Sequence, residues 1–186
     1  MFFCQCGYVI DMRNVVLITG GARSGKSSYA MELARAHEAE RVYIATAEPI
    51  DADMRRRIEK HKEERGDAFV TIEEPLDLAG ALGRIPEGAG VVVVDCLTVW
   101  LGNLMHHHGE EGGLPGVAEF LEVLETPPCD LILVTNEVGM GVIPENRLAR
   151  VYRDALGRLN HEAARRSGSV VLMVSGLPMY IKGDFR

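Results

Sequence analysis

A glycine-rich segment carries the residues with the clearest chemical meaning. Its residues are Gly20, Gly21, Ala22, Arg23, Ser24, Gly25, Lys26 and Ser27, and they match the phosphate-binding pattern G-x-x-x-x-G-K-[ST] at every defined position. In this pattern backbone amides and the start of a helix face the phosphates, while the lysine neutralises the β- and γ-phosphates. The hydroxyl at Ser27 ligates Mg²⁺. The segment therefore predicts binding of a nucleoside triphosphate.

The residues on either side of this loop supply the strand and the helix that the pattern needs. The run 15–19 is rich in β-branched residues and ends at Gly20, which predicts a buried strand. After Ser27, apolar residues between Tyr29 and Ala34 recur at helical spacing. A turn that carries lysine and serine by coincidence is the alternative interpretation. The order strand, loop, helix argues against it.

Asp95 is the second candidate for phosphate and metal chemistry. It follows four consecutive valines, 91–94, which predict a strand buried on both faces. Proteins with this loop place an acid that holds Mg²⁺ at the end of such a strand. The alternative is a turn or helix N-cap before Leu97, and one aspartate can serve both roles. We expect Ser27 and Asp95 to hold the metal.

The segment 51–65 is densely charged, and within it Arg57, His61 and Arg65 are spaced four residues apart. This spacing places them on one face of a helix. On spacing alone, a solvated face with an ordinary histidine explains the pattern. The other interpretation gives His61 a chemical role, in which a neutral imidazole attacks a phosphorus atom while the arginines hold the phosphates. The residues alone leave both interpretations open.

Two further segments combine polar residues with glycines. Residues 135–147 follow an apolar run at 131–134, and loops at such strand ends often carry a site, although a plain connection is the alternative. Residues 106–113 begin with three histidines and are rich in glycine, which predicts a loop. Adjacent residues point in different directions, so a metal site at His106, His107 and His108 is disfavoured.

These candidate residues depend for their positions on an alternating order of strands and helices. The predicted strands are 15–19, 42–45, 69–72, 91–94, 131–134 and 170–174, and the predicted helices that follow the loop helix are 52–65, 76–83, 97–105, 116–125 and 145–166. The apolar face of the last helix is expected to be Leu148, Val151, Tyr152, Ala155, Leu159 and Ala163. The order predicts a P-loop NTPase-type α/β fold, with a doubly wound, mostly parallel sheet and helices on both faces.

Length and composition fit one globular domain without nucleic-acid or membrane partners. The chain has 186 residues, 47% of them hydrophobic, and a formal net charge of -7. Negative charge disfavours binding to phosphate backbones, and no apolar run approaches the ~20 residues of a membrane helix. The N-terminus lacks a signal-peptide pattern, so we expect a cytoplasmic protein whose four cysteines are reduced thiols. Residues 1–14 are expected to be a dispensable extension and residues 15–186 a single domain.

Several of these segments together resemble one enzyme family, the bifunctional adenosylcobinamide kinases and adenosylcobinamide-phosphate guanylyltransferases. The similar segments are 19–27, 43–47, 57–62, 135–141, 144–150 and 174–176. The run Thr-Asn-Glu-Val-Gly-Met-Gly at 135–141 is far more specific than the phosphate-binding loop alone. The resemblance extends over nearly the whole chain from Val15 onward.

The resemblance implies two consecutive reactions in the assembly of cobalamin. The first phosphorylates the aminopropanol hydroxyl of adenosylcobinamide with ATP or GTP, and Lys26 neutralises the phosphates. The second transfers GMP from GTP to that phosphate, giving adenosylcobinamide-GDP and pyrophosphate, through GMP bound covalently to the residue that matches His61. The resemblance further implies Mg²⁺ and a homotrimer. Family nucleotide contacts map onto the residues of the phosphate-binding loop and onto Thr46, Ala47, Glu48, Lys62, Glu63, Glu64, Arg65, Glu73 and Asp95.

Two functions from other classes use the same loop. A small-molecule kinase without guanylyl transfer needs Lys26, Ser27 and Asp95 but leaves His61 chemically idle. A GTP-binding regulatory module binds GTP without passing phosphate to an acceptor. A covalent nucleotide on the protein excludes the first of these functions, and GTP consumption coupled to a corrinoid excludes the second.

Overall fold

The computed structural model describes residues 15–109 and 114–183, together with the backbone of residues 2–3 and 9–10. The strands are β1 (Phe2–Phe3), β2 (Val9–Ile10), β3 (Val15–Gly20), β4 (Glu40–Ala45), β5 (Val70–Glu73), β6 (Ala89–Asp95), β7 (Asp130–Val134), β8 (Ser169–Val174) and β9 (Leu177–Lys182). The helices are α1 (Lys26–Arg35), α2 (Ala52–Arg65), α3 (Leu78–Leu82), α4 (Leu97–His108), α5 (Val117–Val123) and α6 (Arg147–Arg166).

The central sheet contains seven strands of the described residues, in the order β5-β4-β6-β7-β3-β8-β9. Neighbouring strands are parallel except for β8 and β9, which are antiparallel. The predicted doubly wound, mostly parallel sheet is therefore confirmed. β3 lies between β7 and β8, so the phosphate-binding loop leaves from the interior of the sheet. Ligands of open α/β sheets bind at this carboxyl-terminal edge.

Helices cover both faces of the sheet, and each face has its own core. One core combines side chains of α3, α4, α5 and α6 with one face of the strands, including Trp100 and Phe120. The other core lies under α1 and includes Tyr29 and Tyr43. The valines of β6 alternate between them, with Val92 and Val94 in the first core and Val91 and Val93 in the second. This alternation follows from the period of two along a strand.

The predicted helices are present, and their ends differ from the prediction by up to three residues. Helix α4 continues to His108 and ends at Gly109, so the prediction of a loop at His106–His108 was wrong, while residues 110–113 lie outside the described part. Helix α6 begins after Asn146, whose side chain accepts from the amide of Ala149 at 3.2 Å. Leu148, expected on the apolar face, is exposed because the buried positions begin only at Leu156, deeper along the helix. No helix of the described residues is long and apolar enough to cross a membrane.

Strand β9 is the element of the central sheet that the sequence-based prediction lacks. A tight turn joins it to β8, and both turn residues, Ser175 and Gly176, have positive φ angles of 52° and 86°. Such a pair of positive φ angles is typical of two-residue hairpins. Pro178 is tolerated because β9 is the edge strand of the sheet. The strand covers β8, so β3 has two strands on this side and four on the other.

Candidate active site

The phosphate-binding loop joins β3 to α1 in the geometry that its glycines predict. Gly20 has a φ of 146°, and a Cβ at this position would lie 2.5 Å from the carbonyl oxygen of Met173. Only glycine therefore fits at this close approach of β3 to β8. Gly25, with a φ of 92°, precedes the first residue of α1. The exposed residues Ala22 and Arg23 form the outer part of the loop.

Lys26 is buried at the start of α1, with 6% of its surface exposed. Its Nζ donates to the carbonyl oxygen of Gly21 at 2.6 Å and lies 3.5 Å from Ser24 Oγ. Burial lowers the pKa of Lys26, and the nearby Cys96 and Asp95 side chains act in the opposite direction. The structure thus brings the loop lysine and the predicted metal ligand Asp95 within electrostatic reach of each other.

Asp95 ends β6 at the carboxyl edge of the sheet, where it pairs with Ala45 and with Val134. Its Oδ2 accepts a 2.5 Å hydrogen bond from the Tyr43 hydroxyl. Burial and the Asp95 carboxylate raise the pKa of Tyr43 far above its usual range, so the phenol remains a donor. The N-cap of α4 is Cys96 rather than Asp95, so the alternative role of this aspartate as a helix cap is wrong. Its carboxylate remains available for a metal or for metal-bound water.

Cys96 and Thr46 fasten the ends of β6 and β4 to each other. Thr46 Oγ1 donates to the carbonyl oxygen of Cys96 at 2.9 Å and accepts from its amide at 2.8 Å. The amide of Thr46 donates to the carbonyl oxygen of Asp95. Burial raises the pKa of the Cys96 thiol to about 12, which keeps it protonated and poorly reactive. The hydroxyl of Thr46 therefore supports the site, and its neighbour Ala47 is half-buried beside it.

One histidine of the triplet reaches the predicted nucleotide-binding segment. His107 Nε2 lies 3.2 and 3.1 Å from the two carboxylate oxygens of Glu48. Both side chains are partly exposed, at 40% and 25%. The described residues contain no group of three or more His, Cys, Asp or Glu side chains suited to a metal. The contact gives His107 a position next to the site that the sequence did not indicate.

Helix α2 carries His61 one turn before Arg65, with 45% of the histidine side chain exposed. His61 Nδ1 lies 3.2 Å from Glu64 Oε2. Arg65 is buried, its guanidinium lies 4.3 Å from the centre of the Tyr43 ring, and its Nε and Nη2 have no hydrogen-bond partner. Arg57 instead points outward, 3.9 Å from Asp53. The two arginines therefore do not flank His61 as the spacing suggested, because each has a different partner.

The remaining predicted nucleotide contacts of α2 and β5 lie further out. Lys62 Nζ forms an ion pair with Glu73 Oε1 at 2.5 Å, which joins α2 to the end of β5. Glu63 is exposed. The carbonyl oxygen of Glu64 accepts from Arg35 Nη2 at 2.9 Å, which attaches the last turn of α2 to α1. The helix that carries His61 is thus held mainly through its C-terminal end.

The loop after β7 begins beside the phosphate-binding loop. The amide of Glu137 donates to the carbonyl oxygen of Gly20 at 3.1 Å. Thr98 Oγ1 accepts from the amide of Asn136 at 2.6 Å. Asn160 Nδ2 donates to the carbonyl oxygen of Asn136 at 3.0 Å. These contacts attach the start of the loop to α4 and α6. Thr98 and Asn160 are supporting residues that the sequence did not reveal.

Together, the glycine-rich loop, the buried lysine and the strand-end aspartate define a P-loop nucleotide-binding α/β protein. Two solved structures share this fold. The RadB recombinase has a TM-score of 0.51 and 15% sequence identity, and the match covers 95% of this chain and 89% of that one. An ATPase from a type III secretion system of pathogenic bacteria has a TM-score of 0.52 and 12% identity, and the match covers 87% of this chain and 51% of that one. At these identities the similarity shows the fold alone.

Sequence comparison is more specific. Residues 16–181 match the model of the cobinamide kinase / cobinamide phosphate guanyltransferase family, and the chain belongs to this family. A bifunctional adenosylcobalamin biosynthesis protein CobP of Pseudomonas aeruginosa is 44% identical over 90% of this chain and 97% of its own length. The CobU proteins of Escherichia coli and Salmonella typhimurium are 35% and 36% identical, each over 90% of this chain and 99% of their own length.

Proposed function

We propose that this chain phosphorylates adenosylcobinamide with ATP or GTP and then transfers GMP from GTP to adenosylcobinamide phosphate. The observation that carries the proposal is the family match over 16–181, which includes both the phosphate-binding loop and the helix with His61. The residues proposed for the kinase step and the proposed nucleophile therefore lie in one matched region.

The kinase step uses the phosphate-binding loop. The aminopropanol hydroxyl of the corrinoid attacks the γ-phosphorus and releases its proton to solvent, and the new O–P bond forms. The nucleoside diphosphate leaves with the electrons of the broken P–O bond. Lys26 supplies positive charge to the phosphates from a buried position, where electrostatic interactions are strong. Ser27 and Asp95 offer the oxygen ligands that Mg²⁺ prefers, and bound Mg²⁺ supplies further neutralisation of the phosphates.

The guanylyl transfer uses His61 in two displacements. Nδ1 of His61 is enclosed by protein and faces Glu64, so we assign attack to Nε2. Nε2 forms a bond to the α-phosphorus of GTP, and pyrophosphate leaves. A phosphate oxygen of adenosylcobinamide phosphate then displaces the histidine, which forms adenosylcobinamide-GDP and frees Nε2. A covalent intermediate of this kind divides one difficult displacement into two easier ones.

The buried Arg65 supports this assignment. Its Nε and Nη2 lack hydrogen-bond partners, and a buried guanidinium without an anion is costly. A phosphate group of the nucleotide bound to α2 would satisfy these donors, one helical turn from His61. The family resemblance also supports a homotrimer, which light scattering tests directly.

The test uses GTP labelled at its α-phosphate, incubated with the protein and Mg²⁺ before denaturation. The wild type is expected to retain label that is labile in acid and stable in alkali, as a phosphoramidate is, and His61→Ala is expected to lose it. The control variant His108→Ala removes an exposed histidine of α4 and should retain the label. An unlabelled wild type that still binds GTP would refute guanylyl transfer and leave a kinase or a GTP-binding regulatory module.

A further inference from the structure

The loop after β7 exposes a row of apolar side chains beside the phosphate-binding loop. We name Val138, Met140, Val142 and Ile143 the apolar ridge. Met140 is 80% exposed, Val142 94% and Ile143 67%. Single exposed apolar residues are common in proteins, but a contiguous group usually marks a binding surface.

The position of the apolar ridge follows from the backbone that precedes it. Glu137 donates to the carbonyl oxygen of Gly20, and Thr135 donates to that of Ile18, so the start of the loop is hydrogen-bonded to β3. The apolar ridge begins at the next residue, Val138. A ligand that lies on it is therefore beside the loop that binds the transferred phosphate.

A polar groove adjoins the apolar ridge on the side of α6. Its volume is about 490 Å³, within the range of small-molecule sites. Gly139 of the loop forms one wall. The other wall consists of Gly157 and the polar residues Arg153, Asp154, Arg158, His161 and Glu162 of α6. The two features together form one surface with an apolar part and a hydrogen-bonding part.

We propose that the apolar ridge and the polar groove bind the corrin ring of the acceptor. This inference rests on the proposed function, since it names the place of that function's second substrate. A corrin macrocycle carries methyl groups on its ring and amide groups on its peripheral arms. The apolar ridge contacts the methyl-bearing ring, and the groove donates to and accepts from the amides. The acceptor hydroxyl then reaches the phosphate held by Lys26.

A second copy of this chain is the rival occupant of the apolar ridge. The hydrogen bonds to Gly20 and Ile18 hold the start of the loop at the edge of the sheet where the acceptor must bind. This position favours the corrinoid over a second copy of the chain as the occupant of the apolar ridge. The two occupants differ in one measurable consequence. Polar substitutions on the apolar ridge would weaken corrinoid binding in the first case and subunit association in the second.

The test is the triple variant Met140→Ser, Val142→Ser and Ile143→Ser, with Ile181→Ser as control. Ile181 is similarly exposed, at 61%, but lies on β9 at the opposite end from the loop edge. The triple variant is expected to raise the KM for adenosylcobinamide by about 1,000-fold, since each of the three apolar side chains that the ligand buries is worth roughly tenfold in affinity. Labelling of His61 by GTP alone should stay at the wild-type level, because that step needs no corrinoid.

An unchanged KM with normal His61 labelling would overturn the proposal. A smaller mass by light scattering with an unchanged KM would also overturn it and assign the apolar ridge to a subunit contact. A wild type that takes no label would refute guanylyl transfer instead. Calorimetry with adenosylcobinamide would then still test whether the apolar ridge binds the corrinoid, because that binding does not require His61.

Discussion

The hydroxyl of Tyr43 can be removed without removing the ring beneath Arg65. Tyr43 is 2% exposed, donates to Asp95 Oδ2 at 2.5 Å, and lies 4.3 Å from the Arg65 guanidinium. The substitution Tyr43→Phe keeps the aromatic surface and the cation–π contact. It deletes the hydrogen bond that holds the Asp95 carboxylate, so it tests whether that orientation matters for the reaction.

The size of the effect follows from the type of hydrogen bond. A hydrogen bond to a charged group contributes about 1.5–3 kcal/mol, which corresponds to roughly 10- to 150-fold in an equilibrium or rate constant. Since Asp95 is the proposed metal ligand, we expect Tyr43→Phe to need about tenfold more Mg²⁺ for half-maximal kinase activity. The loss in rate at saturating Mg²⁺ is expected to be smaller.

The assay measures initial rates of adenosylcobinamide phosphorylation over a Mg²⁺ titration, together with GTP binding in the presence and absence of Mg²⁺. Tyr180→Phe is the matched control, because it removes a phenol that contacts the Tyr29 hydroxyl at 3.0 Å in the same core, but on the edge strand β9 and away from Asp95. The control should leave the Mg²⁺ midpoint unchanged. Wild-type Mg²⁺ dependence in Tyr43→Phe, with unchanged melting temperature, would refute the orienting role of this phenol.

Two further predictions concern the frame of the site. Gly20→Ala is expected to lower the free energy of unfolding by about 3 kcal/mol, because its Cβ would meet the Met173 carbonyl oxygen at a positive φ. Gly21→Ala is the control: no atom lies within 4 Å of the new Cβ, so the free energy of unfolding should change by under about 0.5 kcal/mol. Urea unfolding measures both values. Burial raises the pKa of Cys96 to about 12 from an ordinary 9.0, so iodoacetamide at pH 8 should label it only after unfolding, as read by mass spectrometry. Because the pKa of this thiol is higher in the folded state than in the unfolded state, its contribution to stability is complete below pH 9 and is lost as the pH rises toward 12. A free energy of unfolding that increased between pH 9 and 12 would contradict the raised pKa of Cys96.

Sequence patterns predicted the elements that depend on local periodicity. The valine run before Asp95 has no alternation, as expected of a strand buried on both faces, and β6 is such a strand. Helix α2 has the predicted bounds because Asp51 caps it, accepting from the amide of Met54, and Gly66 ends it. The phosphate-binding loop was recognisable because its chemistry requires fixed residue types at fixed spacing.

What the sequence did not reveal depends on contacts between distant segments. Nothing near Tyr43 in the chain indicates that its hydroxyl meets Asp95, because that contact arises only when β4 and β6 pair. The helical end of α4 was missed because the three histidines look like part of a polar loop, although one of them, His107, contacts Glu48. The orientation of Arg65 was hidden for the same reason, since only the folded structure places an aromatic ring beneath it.

The alternation of the β6 valines between two cores has a consequence for how the protein tolerates change. Val92 packs with the helices that border the proposed corrinoid surface, whereas Val93 packs with the core under α1 and the phosphate-binding loop. Substitutions at Val92 and at Val93 act on separate sets of side chains, although the two residues are adjacent in the sequence. Their effects on the free energy of unfolding should therefore be nearly additive. The corrinoid side of the sheet can therefore be redesigned, or can drift over evolution, while the packing behind the nucleotide side stays intact.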